Sequence, residues 1–389
     1  VGTAYTVAVS RRPDGQIQPL LFDGTPLLPS AVYAEGPNRL LAGWEAFSQA
    51  ASDPSRLELH PLRHIDTETL TLGGHPVGIE AALKVVLQRV GLEADRAGSG
   101  TPGRDRVTTV VCPAAWSPPR RLRLADAAAA AGLGQVSLTP TPVAAATYYT
   151  MVLGRSIPVG SALAVYDFGA GRFEASVVRR DPQQFEILAT ESVDGVGGLD
   201  IDNAIVTHLG TVHGAVRPAD WKRLTSPSTP EDWQHRLALW NSVRAAKESL
   251  LTTPTASIHL PLFGTDALLT REDLDRLAGP IVQRTVEAMV QALYRSRITP
   301  QQLAGVFLVG GSSRLPLVGA MLHQALATVP VPADQPELAV AVGAATPLPP
   351  SDTQEPPTLP NIAAEFSTPA TPAVLVANSP SAPPTAPVS

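Results

Sequence analysis

A chain of 389 residues with a net charge of -6 and 44% hydrophobic residues is long enough for two domains or one large two-lobed globule. Mild acidity without a polybasic run gives no electrostatic case for nucleic acid or a membrane surface as partner; no stretch approaches the roughly twenty apolar residues of a membrane span, and no signal-peptide pattern is read. The single cysteine, Cys112, lies in the apolar run TTVVCPAAW, so a small buried hydrophobe in a reducing, cytoplasmic setting is expected.

In chain order, residues 1–37 read as short strands with turns at RRPDGQ and FDGTP, a meander of hairpins. A helix is predicted from about Gly43 in GWEAFSQA, then a loop at SDPSR. A second helix follows over 77–90, VGIEAALKVVLQRV, with a stop at Gly91. AGSGTPGRD reads as a flexible loop. RVTTVVCPAAW is β-branched and ends at a proline, which predicts a strand; LRLADAAAAAGL is a helix capped by Gly132, and QVSLTP is the returning strand of a crossover unit. PVAAATYYTM follows as a helix packed close through its alanines.

ALAVYDFGAGRFEASVVRR and QQFEILATES predict strand, tight turn, strand and strand. This restarts the pattern of VGTAYTVAVSRRPDG, so two related lobes are expected. GGLDIDNAIVTHLGTV reads as a helix, RPADWKRLTSPSTPEDW as a looser region, HRLALWNSVRAAKESLL as an amphipathic helix and ASIHLPLFG as a strand. Residues 269–297 are a long helical region opened by Thr270 and Asp273 in an approximate capping box, with Pro280 free to kink or divide it. LAGVFLVGG is a buried strand and turn, SRLPLVGAMLHQAL a helix, and ELAVAVGAA closes the fold. From Thr346 onward Pro, Ala, Thr and Ser dominate without an apolar period, which predicts a disordered tail or linker.

Three glycine turns carry the chemistry. In VYDFGAGRFEASVVRR, from Val165, a buried strand ends in Asp167 and a backbone almost bare of side chains. Glycines after a strand let the chain approach a ligand and aim successive N–H groups inward, a nest for phosphate oxygens. An acid at the strand end suits a hydrated divalent metal, while the plain alternative is a tight hairpin with a surface acid. GVGGLDID from Gly195 and FLVGGSSR from Phe307 repeat the feature, the latter placing Gly310 and Gly311 beside a helix N-terminus. Neither the P-loop nor the dinucleotide fingerprint is present. His60, His64 and His75 lack metal-site spacing; Trp116, Trp221, Trp233 and Trp240 read as packing residues, and Arg120 and Arg121 as the polar start of a helix.

In their order these stretches resemble the ATPase domain of the seventy-kilodalton heat-shock chaperone family, within the actin, hexokinase and sugar-kinase superfamily. VGTAYTVAV is similar to the family's first phosphate loop, YDFGAGRFEASVV to the second and FLVGGSSRLPLV to the adenosine motif. VVCPAAWSPPRRLRLADAAAAAGL, PTPVAAATYY, GVGGLDIDNAIVTHL and NSVRAAKESL resemble the segments between them, so the likeness covers about residues 1–346. It implies an α/β, two-lobed actin-like ATPase fold, with duplicated mixed sheets in ribonuclease-H-like lobes and a cleft for ATP or ADP with Mg2+, K+ being a further option. By that match Gly2, Thr3 and Ala4 fall on the first phosphate turn, and Gly169, Ala170, Gly171 and Arg172 on the second. Gly197 and Gly198 fall near the phosphates; Lys247, Glu248, Gly310, Gly311, Ser312 and Arg314 fall around the nucleoside. Asp167 matches the metal-side acid and Asp200 the acid after the glycine pair, both assigned to catalysis.

The chain also departs from the family pattern. The first-loop aspartate would sit just before Val1, and a start displaced from the natural one is the expected reason. Ala4 replaces a hydroxyl residue, Leu62 with Arg63 beside it falls where the family has a lysine, and Thr141 replaces a glutamate. Arg172 replaces a threonine, Glu174 an aspartate and Glu248 an arginine. Losing the lysine and the glutamate is expected to spare binding while lowering hydrolysis by several decades. Arg172 either brings a fixed positive charge to the phosphates or fills the pocket.

The expected organisation is a first lobe over 1–155 with an upper insertion at 38–105, a second over 156–346 with an insertion at 196–266, and a disordered tail over 347–389. The expected function is an ATP-binding, chaperone-like switch with weak hydrolysis and no peptide-binding domain of its own. Protein partners would be met through the tail or the upper insertions. A non-hydrolysing scaffold and a small-molecule kinase of the same superfamily are the alternatives.

Overall fold

The run ALAVYDF becomes the central strand, Ala162–Phe168, of a five-stranded mixed sheet. The computed structural model describes residues 1–36, 39–98 and 106–348. The central strand pairs antiparallel with Arg172–Arg180 and parallel with Leu303–Val309; Phe185–Asp194 and Val331–Pro332 form the two edges. In chain order the strands lie third, second, first, fourth, fifth across the sheet. Period-two alternation sends Ala162, Ala164, Tyr166 and Phe168 to one face, against the helices Gly198–Leu209, Arg271–Ser296 and Pro316–Leu326. Leu163 and Val165 point to the other, against Thr141–Met151 and Ala339–Ala345. Burial on both faces explains why the strand reads as a continuous apolar run.

The first half is built from shorter ladders. Tyr5–Thr6 pairs with Leu28–Pro29, and Val9–Arg11 with Ile17–Pro19. Val107–Cys112 runs parallel to Gln135–Pro140 through the helix Pro118–Ala130, the crossover that the sequence predicts. These elements share an apolar core with the helix Ile79–Arg96. Two helices join the packing of both halves: Thr141–Met151 and Ala339–Ala345 cross so closely that a Cβ on Gly343 would stand 2.0 Å from the Ala144 carbonyl oxygen.

Four local expectations change. The helix beginning at Ile79 passes through Gly91 and ends at Arg96, because LEADR continues with good helix formers; Gly91 instead clears Leu133, 3.2 Å from a Cβ placed there. SDPSR is not plain loop, since Pro54–Arg56 is a 3-10 turn capped by Asp53. Within the looser region, Pro218–Thr225 is helical, and the next helix already starts at Pro230, where Thr229 caps it. Thr265–Thr270 is a strand, paired antiparallel with Thr255–Leu260. Pro280 lies within one unbroken helix, Arg271–Ser296, and the Thr270–Asp273 capping box is formed. The expected tail lies outside the described residues from 349 onward, as does the expected loop from 99 to 105.

Candidate functional site

At the end of the central strand the chain reverses over Gly169, Ala170 and Gly171, and Gly169 N–H donates to the Arg172 carbonyl at 3.1 Å. The carbonyls of this turn dock a second glycine turn. Gly198 N–H donates to Gly169 O at 3.0 Å and Leu199 N–H to Ala170 O at 2.8 Å, seating the N-terminus of the helix Gly198–Leu209 on the reversal. A Cβ on Gly197 would lie 2.3 Å from Ala170 O, so that approach requires glycine. Ser312, in the third turn, donates its hydroxyl to Gly169 O at 2.9 Å, and a Cβ on Gly198 would meet that hydroxyl at 2.5 Å. Lys247 donates to Gly198 O at 2.9 Å and pairs with Asp202 at 2.7 Å. Thr3 adjoins Gly171, where a Cβ would fall 2.5 Å from the Thr3 methyl carbon. Stretches separated by up to three hundred residues therefore meet in one place.

The Gly2–Ala4 turn is anchored from behind. Ser30 donates its hydroxyl to Gly2 O at 2.8 Å and its amide to Ala4 O at 2.9 Å. His60 Nδ1 lies 3.2 Å from Thr3 O; burial, aided by the nearby Arg244 charge, pushes this imidazole down to about 4. It is therefore neutral at pH 7 and donates through Nδ1. On the opposite wall, Arg314 is engaged by Glu337 at 2.9 Å, and Gly311 abuts the same carboxylate. Burial raises the Glu248 carboxyl above the usual range, opposed by Lys247 and Arg244. Gly310 takes φ 82°, the left-handed region that glycine favours, and a Cβ there would strike Phe168 O at 2.6 Å.

The acids differ in their surroundings. Asp167, enclosed at the base of these turns, is pushed up to about 6 by burial; Arg172 opposes the rise and Glu174 adds to it. Glu174 is buried and committed, accepting from the Ala114 and Ala115 amides at 3.1 and 2.9 Å. Asp200 lies in the first turn of the helix Gly198–Leu209 with Oδ2 buried and unpartnered; burial raises its pKa, with Arg63 opposing. Arg172 places its guanidinium over the Trp116 ring, 5.6 Å from the centroid. Leu62 is buried in the first-half core, and Thr141 spends its hydroxyl on Cys112 O at 3.2 Å.

The turns at Gly2–Ala4, Gly169–Arg172, Gly197–Gly198 and Gly310–Ser312 thus come together with Lys247, whereas Asp200 keeps a buried Oδ2 without a partner among the described residues. Four residues of the site received no site role from sequence: Asp202, His60, Trp116 and Glu337. One signal was present for Asp202. Acids at 200 and 202 cannot share a helix face, which directs the two side chains apart, and the structure turns Asp202 inward to Lys247.

A hydrated Mg2+ needs one or two free carboxylates besides the phosphates it bridges. Among the described residues no cluster of three metal-suited side chains is present, Glu174 has both oxygens occupied, and Asp167 sits beside a guanidinium. The carboxylate that these residues leave for a hydrated Mg2+ is Asp167, which meets the lower end of that requirement.

Residues 86–347 match the family model described as Hsp70 protein. The chain is 29% identical over 367 residues to the chaperone protein HscA of Pectobacterium carotovorum subsp. carotovorum, covering 89% of this chain and 56% of that protein. It is 30% identical over 351 residues to the HscA homolog of Acidithiobacillus ferrooxidans (83% and 53%), and 30% identical over 340 residues to HscA of Yersinia pseudotuberculosis (82% and 50%). The chain spans about half the length of these curated relatives.

Proposed function

The chain belongs to the Hsp70 family and has its actin-like α/β ATPase fold, and from that premise we propose that it binds ATP or ADP as a nucleotide-dependent switch and hydrolyses ATP slowly or not at all. One observation carries the reading: the backbones of Gly169–Arg172 and Gly197–Gly198 lie in direct contact, with Thr3, Ser312 and Lys247 around them. Among the described residues the amides of Ala170, Gly171 and Gly197 donate to no protein acceptor, and bare amides from separate turns suit a polyphosphate. Lys247, Glu248, Gly310, Gly311, Ser312 and Arg314 would flank the nucleoside; a cytoplasmic setting and protein partners at the upper insertions belong to the same reading.

Slow hydrolysis follows from the side chains around Asp167 and Asp200. A positioned general base or charge-neutralising group is worth roughly 10² to 10⁴ in rate. Leu62 and Thr141, where the family pattern has a lysine and a glutamate, are both committed to packing or to a backbone carbonyl. Calorimetric titration with ATP and ADP, followed by single-turnover phosphate release, tests the proposal. The expected outcome is saturable binding, abolished by Gly197→Val, with release slower by several decades than in a chaperone that keeps both groups. Absence of binding heat for the unsubstituted protein would overturn it and leave the scaffold reading.

A further inference from the structure

Away from the glycine turns, the C-terminal half of the helix Gly198–Leu209 and the helices Pro218–Thr225 and Pro230–Ser249 border a cavity of about 480 Å3. Between the first two helices the chain widens into a π turn, Gly210–Gly214, a departure from α geometry that is frequent at functional sites. Its glycines make a notch for Trp221, since a Cβ would stand 2.7 Å from the indole Nε1 at Gly210 and 2.9 Å from Cγ at Gly214. Trp221 is thereby held as one apolar wall, and Val206 and Trp240 supply the others. We propose that this cavity is a binding site for a small aromatic carboxylate, the acid seated on Arg236 and the ring packed on Trp221 and Trp240.

Two donors carry the assignment. The indole N–H of Trp240 is buried and meets no acceptor among the described residues, an arrangement that is costly until a ligand oxygen completes it. Arg236 lies 5.3 Å from the Trp240 ring centroid and gives one N–H to Thr225 O at 2.7 Å, but makes no ion pair among the described residues. Burial lowers its pKa, and a guanidinium stays charged even so. The acids of the preceding turn are engaged elsewhere: Asp232 pairs with Arg223 at 2.7 Å, and Glu231 lies 3.5 Å from His235. No acid lines the cavity. A guanidinium edge and one indole N–H match the two oxygens of a carboxylate, whereas a phosphate dianion would meet no second cation among the lining residues. Threonine oxygens supply acceptors: Thr207 and Thr225 spend their hydroxyl protons on Asn203 O and Trp221 O at 2.8 and 3.0 Å, which leaves lone pairs for an N–H or O–H on the ring. Apolar walls with a few placed polar groups, at this volume, are the make-up of a small-molecule site.

Calorimetric titration with indole-3-acetate tests the proposal, with indole-3-acetamide and acetate as probes that lack the charge and the ring. Indole-3-acetate is expected to bind with a dissociation constant below about 1 mM, the amide about tenfold more weakly or worse, and acetate not measurably. Arg236→Gln removes the charge and Trp240→Phe only the indole N–H; each, shown to be folded by circular dichroism and thermal melting, is expected to weaken binding of the acid by about fivefold or more. Saturating ATP is expected to leave that affinity unchanged within about threefold, because the glycine turns lie at the other end of the helix Gly198–Leu209. A dissociation constant above about 1 mM overturns the inference, as do equal binding of acid and amide and folded variants that bind as the unsubstituted protein does. Displacement of the acid by ATP overturns it as well, since that would place the acid in the glycine turns.

Discussion

His60 ties the segment after the Pro54–Arg56 turn to the Gly2–Ala4 turn through the Thr3 carbonyl, and its environment makes it sensitive to acid. The unfolded side chain takes up a proton near pH 6.5, the folded one only near 4. The unfolded state therefore binds more protons between those values, and stability that is complete above pH 6.5 is lost as pH falls toward 4. Allowing for partial exposure, the loss amounts to about 1 to 3 kcal/mol. Denaturant unfolding at pH 7.5 and pH 5 should show it, and His60→Gln should flatten the difference; an unchanged pH dependence in the variant would refute the assignment. His60 also marks the limit of sequence reading at this scale. The glycine turns were legible because their signal is local, a strand followed by bare backbone. His60, Asp202 and Glu337 were not, because their partners Thr3, Lys247 and Arg314 come from distant segments or from a register that no spacing rule specifies.

Among the elements, the helix pair Thr141–Met151 and Ala339–Ala345 has the closest contact. Adding a methyl at Gly343 forces backbone against side chain with no flexible atom to yield. Gly343→Ala should cost about 1 to 3 kcal/mol, which thermal melting would register as a drop of several degrees. Gly319, inside the helix Pro316–Leu326, has open space around the same position, so Gly319→Ala should be neutral or stabilise by up to about 1 kcal/mol. Equal effects of the two substitutions would contradict the packing argument. Elements with one strong period were legible: the buried strand at Ala162–Phe168, the crossover from Val107 to Pro140 and the capped helix from Arg271. The errors fell where a residue serves tertiary packing rather than local geometry. Gly91 looked like a stop and is a clearance for Leu133; TDALLT lacks alternation by polarity yet pairs as a strand that buries Ala267 and Leu269 on one face and leaves Leu268 exposed on the other.

For the whole molecule, nucleotide binding should tighten the turns together while leaving remote parts unaffected. Hydrogen exchange with and without ATP is expected to show added protection at residues 169–172, 197–200 and 310–314. The cavity of about 480 Å3 lined by Asn203, Val206, Trp221, Arg236 and Trp240 provides an internal reference whose amides should not change. Protection confined to that cavity would move the ligand away from the glycine turns. The two-lobed plan was legible from the repeated strand-and-turn pattern, though the first half carries it in short ladders and the second in a full five-stranded sheet. Repetition in sequence reports chain order, whereas ladder length depends on how many residues on each side stay extended.

At the crossing of Ala144 and Gly343 the nearest atoms are the Ala144 carbonyl and the Tyr148 Cβ, neither of which can turn aside. Two rods pressed this closely cannot slide along each other without being forced apart, so the spacing of everything packed on either one is set by the single residue type that leaves room for the other's carbonyl.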